Sequence, residues 1–175
     1  IVEADIDSAL VGHVVFGNVI HTEPRDMYLS RVTAIESGLS PEVPAMTLNR
    51  LCGSGLQAVI SAAQLLDAKE CEIAVAGGAE HMSRSPFASN QIRSGTKMGD
   101  HRLTDMMMGA LTDPFGHGHM GATGENVAHK YSISRERQDA FACESHKRAA
   151  NAQSAGYFSS QIVPLTIKRG REDIL

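Results

Sequence analysis

Cysteine is scarce and scattered: Cys52, Cys71 and Cys143 form an odd, widely spaced set with no Cys-x-x-Cys among them. That argues against a disulfide framework or a cysteine zinc site and for a reducing compartment. Excess basic charge is also missing. A net charge of -4 and a pI of about 6.1 give no electrostatic reason to expect nucleic acid or an anionic membrane as partner. No apolar run approaches the roughly 20 residues of a membrane span, and no basic segment followed by a hydrophobic one opens the chain. A cytoplasmic protein is expected. Repeats and low-complexity tracts are absent as well. What is there is an ordinary globular composition, 42% hydrophobic and 21% charged over 175 residues, enough for one large or two small domains with a real core. The chain begins at Ile1 rather than methionine and ends at Leu175, just after the charged turn Lys168 to Asp173. Neither end reads as a natural terminus.

The chemistry concentrates in Asn49-Arg50-Leu51-Cys52-Gly53-Ser54-Gly55-Leu56-Gln57. Pro44 to Leu48 before it is short and apolar enough for a strand. After it, Leu56, Val59, Ile60, Ala63 and Leu66 have the spacing of one face of a helix reaching Lys69. Cys52 therefore falls at a strand-to-helix turn, with glycines on both sides of Ser54 that permit a sharp bend and close approach to the backbone. The first N–H groups of such a helix lack partners, and the dipole's positive end favours a thiolate, the nucleophilic form of cysteine. The same N–H groups can hold the oxyanion that forms when a thiolate attacks a carbonyl. A free cysteine is commonly just a small buried residue, and it is the turn that sets Cys52 apart. Ser54 is a rival nucleophile, but Cys52 stands where Gly-x-Ser-x-Gly needs its first glycine, so Ser54 is expected to cap the helix.

In chain order, Val11 to Ile20 is a strand candidate of the kind buried on both faces. Thr22 and Pro24 start a helix with Tyr28, Val32, Ile35 and Leu39 as its inward stripe, and Gly38 stops it. Ile73 to Ala79 is a further buried strand, with Gly77-Gly78 permitting tight packing. Strand, helix, strand, helix, strand is an α/β pattern. Around Met82 the character changes, giving an expected boundary between domains 1–82 and 83–175. Met98, Met106, Met107 and Met108 lie in the second part, as core filler or as an adaptable subunit contact or acyl-chain pocket. Gly116-His117-Gly118-His119-Met120-Gly121 matches Gly-x-Gly-x-x-Gly formally, but no strand leads into it. His117 and His119 have no third metal ligand at a recognisable spacing. The glycines fit a backbone passing close to a ligand, with one imidazole facing the site. Thr123 is expected to cap a helix through Lys130, and Ser134 one from Arg135 to Ala155 closed by Gly156, with Phe141, Ala140, Ala149 and Ala152 buried. Gln161 to Lys168 is an expected last strand, at an edge because of Pro164.

These residues resemble the thiolases, which make or cleave 3-oxoacyl-CoA through an acyl-cysteine. Asn49 to Leu56 looks like the family's nucleophile signature. Gly77-Gly78-Ala79-Glu80-His81-Met82-Ser83, Lys97-Met98-Gly99-Asp100 and His119 to Ala128 add motifs in the family's order along nearly the whole chain. Gly12 to Leu29 is most similar to the bacterial β-ketothiolases that supply polyhydroxyalkanoate synthesis and accept somewhat longer acyl chains. The resemblance implies a layered α/β/α/β/α fold, here an N-terminal core domain lacking its first strand plus part of a loop domain covering the site. It implies Cys52 as acyl-accepting nucleophile, with its backbone N–H in the oxyanion hole, and Leu111, His119 and Met120 lining the acyl and pantetheine pocket. It implies coenzyme A or acetyl-CoA as substrate with no covalently bound cofactor, no metal, and a tetramer or dimer of dimers formed through a loop at Arg93 to Thr104.

The departures are large. A thiolase's Gly-His-Pro histidine and Cys-x-Gly second cysteine have no counterpart: no histidine precedes a proline, and the nearest Cys-x-Gly is Cys52 to Gly55 itself. The chain looks like the first half of a thiolase, expected to need the C-terminal half as partner and to be inactive and poorly stable alone. Two other classes stay open. One is a non-catalytic assembly module on the same fold, and the other, resting on Gly116 to Gly121, a nicotinamide-dependent oxidoreductase.

Overall fold

The computed structural model describes residues 4–95, 97–169 and 172–174. The chain divides into two compact units, the first reaching Met120 and the second starting at Gly121. The change of character near Met82 lies inside the first.

That unit is organised around strand β1 (Val11–Gly17), which pairs in parallel with β2 (Ala45–Leu48) on one side and β3 (Ile73–Gly78) on the other. The registers place Val14 opposite Ala45 and Val75, and Phe16 opposite Thr47 and Gly77. Successive strand residues face opposite ways, so Val14 and Val15, both fully buried, serve two different cores. Val11 and Val14 pack with Ala34, Leu39 and Val43, whereas Val15 packs with Ala58 and Ala62. Val11 shares a face with Val14 despite the odd spacing because the pairing with β3 shifts register between Val11 and His13. Helix α1 (Leu29–Glu36) thus covers one face of the sheet and α2 (Ser54–Asp67) the other, the α/β arrangement read from the sequence.

Both helices present unexpected faces to the sheet. Before α1, Pro24–Tyr28 winds as a 3-10 turn, whose three-residue period displaces the anticipated stripe. Tyr28 and Ile35 are exposed and Val32 is half-buried; Leu39 is buried as expected, though beyond the end of the helix, and Ser30 and Ala34 take the inner face. Ser30 earns its interior place by hydrogen bonding: its hydroxyl accepts from the Phe16 N–H at 3.0 Å and donates to the Met46 carbonyl at 2.7 Å, tying α1 to β1 and β2. On α2 the stripe Leu56, Val59, Ile60, Ala63 and Leu66 faces outward, with Leu56 68% exposed, while Ser54, Ala58 and Ala62 are buried. Small side chains win the inner face because the helix start lies close on the sheet. A Cβ on Gly17 would come within 2.7–2.9 Å of Ser54.

After β3 the first unit continues through short pieces: β4 (Phe87–Ala88) pairs with β5 (Thr104–Asp105), and helix α3 (Met106–Leu111) follows. The Asp105 carboxylate accepts from Met107 N–H at 2.9 Å and caps α3. Met98, Met106 and Met108 are exposed rather than filling a core. The strands β6 (Thr112–Asp113) and β7 (Gly118–His119) form a hairpin. Gly116 and Gly118 adopt φ of +94° and +88° in it. The Asp113 carboxylate accepts from the Phe115 and His117 N–H groups, both at 3.0 Å. The first two glycines of the Gly-x-Gly-x-x-Gly pattern therefore serve a hairpin turn, and the third, Gly121, lies in the helix that follows.

Helix α4 (Met120–Lys130), all but its first residue in the second unit, begins three residues before the expected cap at Thr123. Helix α5 (Arg135–Ser154) starts where anticipated, the Ser134 hydroxyl accepting from Arg137 N–H, and Gly156 at φ +72° follows its end. Phe141, expected inside, is 79% exposed, and Ala140, Ala149 and Ala152 are not buried either. Of the anticipated last strand, Gln161 to Lys168, only Ile167 and Lys168 lie in one, β8 (Ile167–Arg169), which pairs with β9 (Glu172–Ile174), and Pro164 lies outside it. No described helix is long and apolar enough to cross a membrane.

Candidate functional site

In an open α/β sheet, ligands collect where the strands end and their loops diverge. Here β1, β2 and β3 all end at one rim, and the loops leaving them enclose a cavity of about 560 Å³. Its lining is mostly apolar and includes Gly17, Ile20, Cys52, Gly55, Gly78 and Leu111. Two glycines make the rim possible. A Cβ at Gly17 would collide with Ser54, and one at Gly78 would sit 3.0 Å from the Gly17 carbonyl.

Cys52 sits between β2 and α2, as the sequence predicts, but the bend is made differently. The glycines beside Ser54 keep negative φ; it is Leu51 that takes the left-handed conformation, at φ +48°. For a residue with a branched side chain that costs about 1–2 kcal/mol, so the surroundings must impose it. They do so from both sides. The Leu51 N–H donates to the Asn49 side-chain oxygen at 2.9 Å, and the Leu51 carbonyl accepts from the Ser54 N–H at 2.9 Å and the Ser54 hydroxyl at 2.6 Å. That hydroxyl also accepts from the Arg50 N–H at 2.9 Å. Ser54 is therefore neither cap nor nucleophile: it is buried and its oxygen is occupied in locking the turn.

The lock leaves Cys52 exposed, lining the cavity immediately before α2. The Gly53 and Ser54 N–H groups are used within the turn, bonding Arg50 and Leu51 carbonyls. The next N–H groups, of Gly55 and Leu56, lie in the first turn of α2, where no preceding helical carbonyl reaches them. Gly55 lines the cavity, and a Cβ there would meet nothing within 4 Å. An exposed thiol beside the amino end of a helix, facing an apolar chamber, can attack a carbonyl and have the resulting oxyanion held by backbone donors.

The other residues expected at the site divide. Leu111 lines the same cavity as Cys52, whereas His119, in β7, and Met120, at the start of α4, do not. Sequence reasoning missed Glu80, whose carboxylate accepts from the Val19 and Ile20 N–H groups at 2.8 and 2.9 Å while lining the cavity. Only its place in a motif could have flagged it. Among the described residues no group of histidine, cysteine and carboxylate side chains could hold a metal.

Comparison with known proteins gives a consistent result. Residues 1–175 match the family model described as thiolase, N-terminal domain. The chain is 56% identical over 171 residues to the beta-ketothiolase BktB of Cupriavidus necator, covering 98% of this chain and 43% of that protein. The crystal structure of Bacillus anthracis acetyl-CoA acetyltransferase superposes with a TM-score of 0.89 at 38% identity, over 97% of this chain and 43% of the other. That of human mitochondrial 3-ketoacyl-CoA thiolase in complex with CoA gives 0.87 at 38% identity, over 91% and 41%. The chain thus spans less than half the length of these relatives.

Proposed function

The chain belongs to the thiolase family, and on that premise we propose that the intact protein is an acyltransferase that makes or cleaves 3-oxoacyl-CoA through a thioester on Cys52. The observation that carries this is Cys52 itself, exposed before α2 on a locked turn and lining an apolar cavity of about 560 Å³. In the cleaving direction the Cys52 thiolate attacks the 3-oxo carbon, and backbone N–H groups at the turn and the start of α2 stabilise the oxyanion. Collapse breaks the bond between carbons 2 and 3. The electron pair leaves on acetyl-CoA, which takes up a proton, and the thiolate of coenzyme A then lifts the acyl group from Cys52. Synthesis runs the same steps backwards. Coenzyme A is substrate in this scheme, and no covalently bound cofactor takes part.

The acid and base come from outside this chain. We assign them to the C-terminal half of the enzyme, through a Gly-His-Pro histidine and a Cys-x-Gly cysteine, and the chain's 43% share of its relatives' length leaves room for such a half. Two features support a docking surface for that half. The outward stripe of α2, Leu56, Val59, Ile60, Ala63 and Leu66, is too apolar to be left in water, and among the described residues β3 pairs only on its β1 side. His119 and Met120 join Leu111 around the pantetheine arm once that half is in place. Residues 1–82 then correspond to a core domain and 83–175 to part of a covering domain. The segment Arg93 to Thr104 supplies the contact for a cytoplasmic tetramer. The isolated chain is inactive.

The test is intact-mass spectrometry under denaturing conditions after incubating the intact protein with acetoacetyl-CoA. One acetyl group on the peptide bearing Cys52, absent in Cys52→Ser, is the expected result, with turnover lower by at least about a thousandfold in the variant. A protein that never becomes acylated is a non-catalytic module, and turnover by the purified 175-residue chain alone would overturn the division of labour between halves.

A further inference from the structure

A second cavity, of about 400 Å³, lies beside the first. The two share part of their lining: Val19, Ile20, Leu51 and Ala110 border both. Val19 and Ile20 therefore belong to a partition between two chambers, on a loop that has left the sheet, and what fixes that loop decides how the space is divided.

Most of the fixing comes from one carboxylate. The two oxygens of Glu80 accept separately, Oε2 from the Val19 N–H at 2.8 Å and Oε1 from the Ile20 N–H at 2.9 Å. Asn18, itself buried, donates from Nδ2 to the Ala79 carbonyl at 2.9 Å and to Glu80 Oε1 at 3.3 Å, so the donors and the acceptor are tied together at their base. On the other side Asn49 Nδ2 donates to the Val19 carbonyl at 3.3 Å while its oxygen holds the Leu51 N–H. The partition is thereby linked to the turn that presents Cys52. A carboxylate accepting two backbone N–H groups makes charge-assisted bonds that an amide of the same size cannot reproduce, since one of its two arms is a donor.

We propose that Glu80 is a positioning residue that sets acyl-chain selectivity, by clamping Val19 and Ile20 as the partition between the chamber beside Cys52 and the chamber behind it. Held in place, the partition limits the acyl group that fits beside Cys52. Released, it opens the second chamber to longer chains. The selectivity rests on the acyltransferase reading above, whereas the clamp itself rests on the hydrogen bonds.

The experiment compares the intact protein with its Glu80→Gln variant in two readouts. One is hydrogen exchange at the Val19 and Ile20 amides, and the other is the ratio of kcat/KM for a six-carbon over a four-carbon 3-oxoacyl-CoA. Exchange at both amides should rise at least about tenfold, and the ratio should move toward the six-carbon substrate by about fivefold, a modest fraction of what a pocket discriminates per methylene. Faster exchange with an unmoved ratio would make Glu80 merely structural and overturn the proposal; unchanged exchange would remove the clamp itself. Should Glu80→Gln fail to fold, Ile20→Ala, which thins the partition without touching the carboxylate, must shift the ratio the same way, and an unmoved ratio there also overturns it. A wild-type protein that turns over neither substrate refutes the acyltransferase reading and with it the selectivity claim, while the exchange data still decide the clamp.

Discussion

In the first unit a strand buried on both faces carries the loops, with Val14 and Val15 shut between two helices; in the second, the 20 residues of α5 bury nothing among those described. Every buried apolar residue described, from Val11 to Ala62, lies in the first unit. Local signals serve both. Asp105 caps α3 as Ser134 caps α5, and α5 adds spaced ion pairs between Arg135 and Asp139 and between Glu144 and Arg148. Caps and surface pairs define where a helix begins and ends without holding it against anything. In the first unit the bonds that impose the left-handed φ of Leu51 run through Ser54, which is buried against the sheet, so burial and the turn that presents Cys52 are coupled there.

The sharpest way to break that comparison is to unseat the turn from the sheet. Gly17→Ala puts a methyl within 2.7–2.9 Å of Ser54, so the start of α2 must lift. Stability should fall by about 1–3 kcal/mol, and Cys52 acylation in the intact protein by about a hundredfold, because small misplacements of a reacting group are disproportionately costly. Gly55→Ala, with open space around its methyl, should leave stability unchanged or slightly higher. Stopped-flow acylation combined with urea unfolding reads both effects. A Gly17→Ala variant that acylates at the wild-type rate would mean that the seating does not matter.

A milder test sets core against surface directly. In the 175-residue chain, Val15→Ala removes two buried methyl groups from between α2 and the sheet and should cost about 2–3 kcal/mol. Phe141→Ala, at a position 79% exposed, should stay within about 0.5 kcal/mol. Urea denaturation of the two variants checks the contrast. Repeating Phe141→Ala in the intact protein sharpens it, since a cost above about 1 kcal/mol there would show that the rest of the molecule covers this side of α5.

Much of this architecture was legible in the sequence because it rests on local pattern. The apolar block Val14-Val15-Phe16 of β1, the Ser134 cap, the Gly156 stop and the placement of Cys52 between strand and helix all come from residues close together in the chain. What was not legible depends on which of two plausible faces another element selects. The larger apolar stripe of α2 looked inward by composition, yet the close approach at Gly17 admits only Ser54, Ala58 and Ala62. Leu51 carries no sign of its left-handed φ, since its neighbours impose it. Glu80 binds N–H groups 61 and 60 residues away, and no periodicity announces a contact of that kind.

The smallest expected effect tests whether local electrostatics are alike in the two units even though burial is not. Asp26 in the first accepts from the Thr22 N–H and then the Thr22 hydroxyl, with smaller help from the Glu23 N–H and His21, which holds its carboxyl below the usual range. Glu136 in the second is lowered by its own backbone N–H and then by the Ser134 hydroxyl. Both groups titrate lower when folded than unfolded. Each therefore adds stability that is fully present above the ordinary carboxylate value of about 4 and is lost as pH falls through the folded value. Asp26→Asn and Glu136→Gln should each lower stability at pH 7, and the gap to wild type should close in acid. Side-chain carboxyl NMR titration of the wild type should place both midpoints below the ordinary range. A shift at Asp26 with none at Glu136 would mean that the cap of α5 is weaker than its geometry, and that the two units differ in local order as well as in burial.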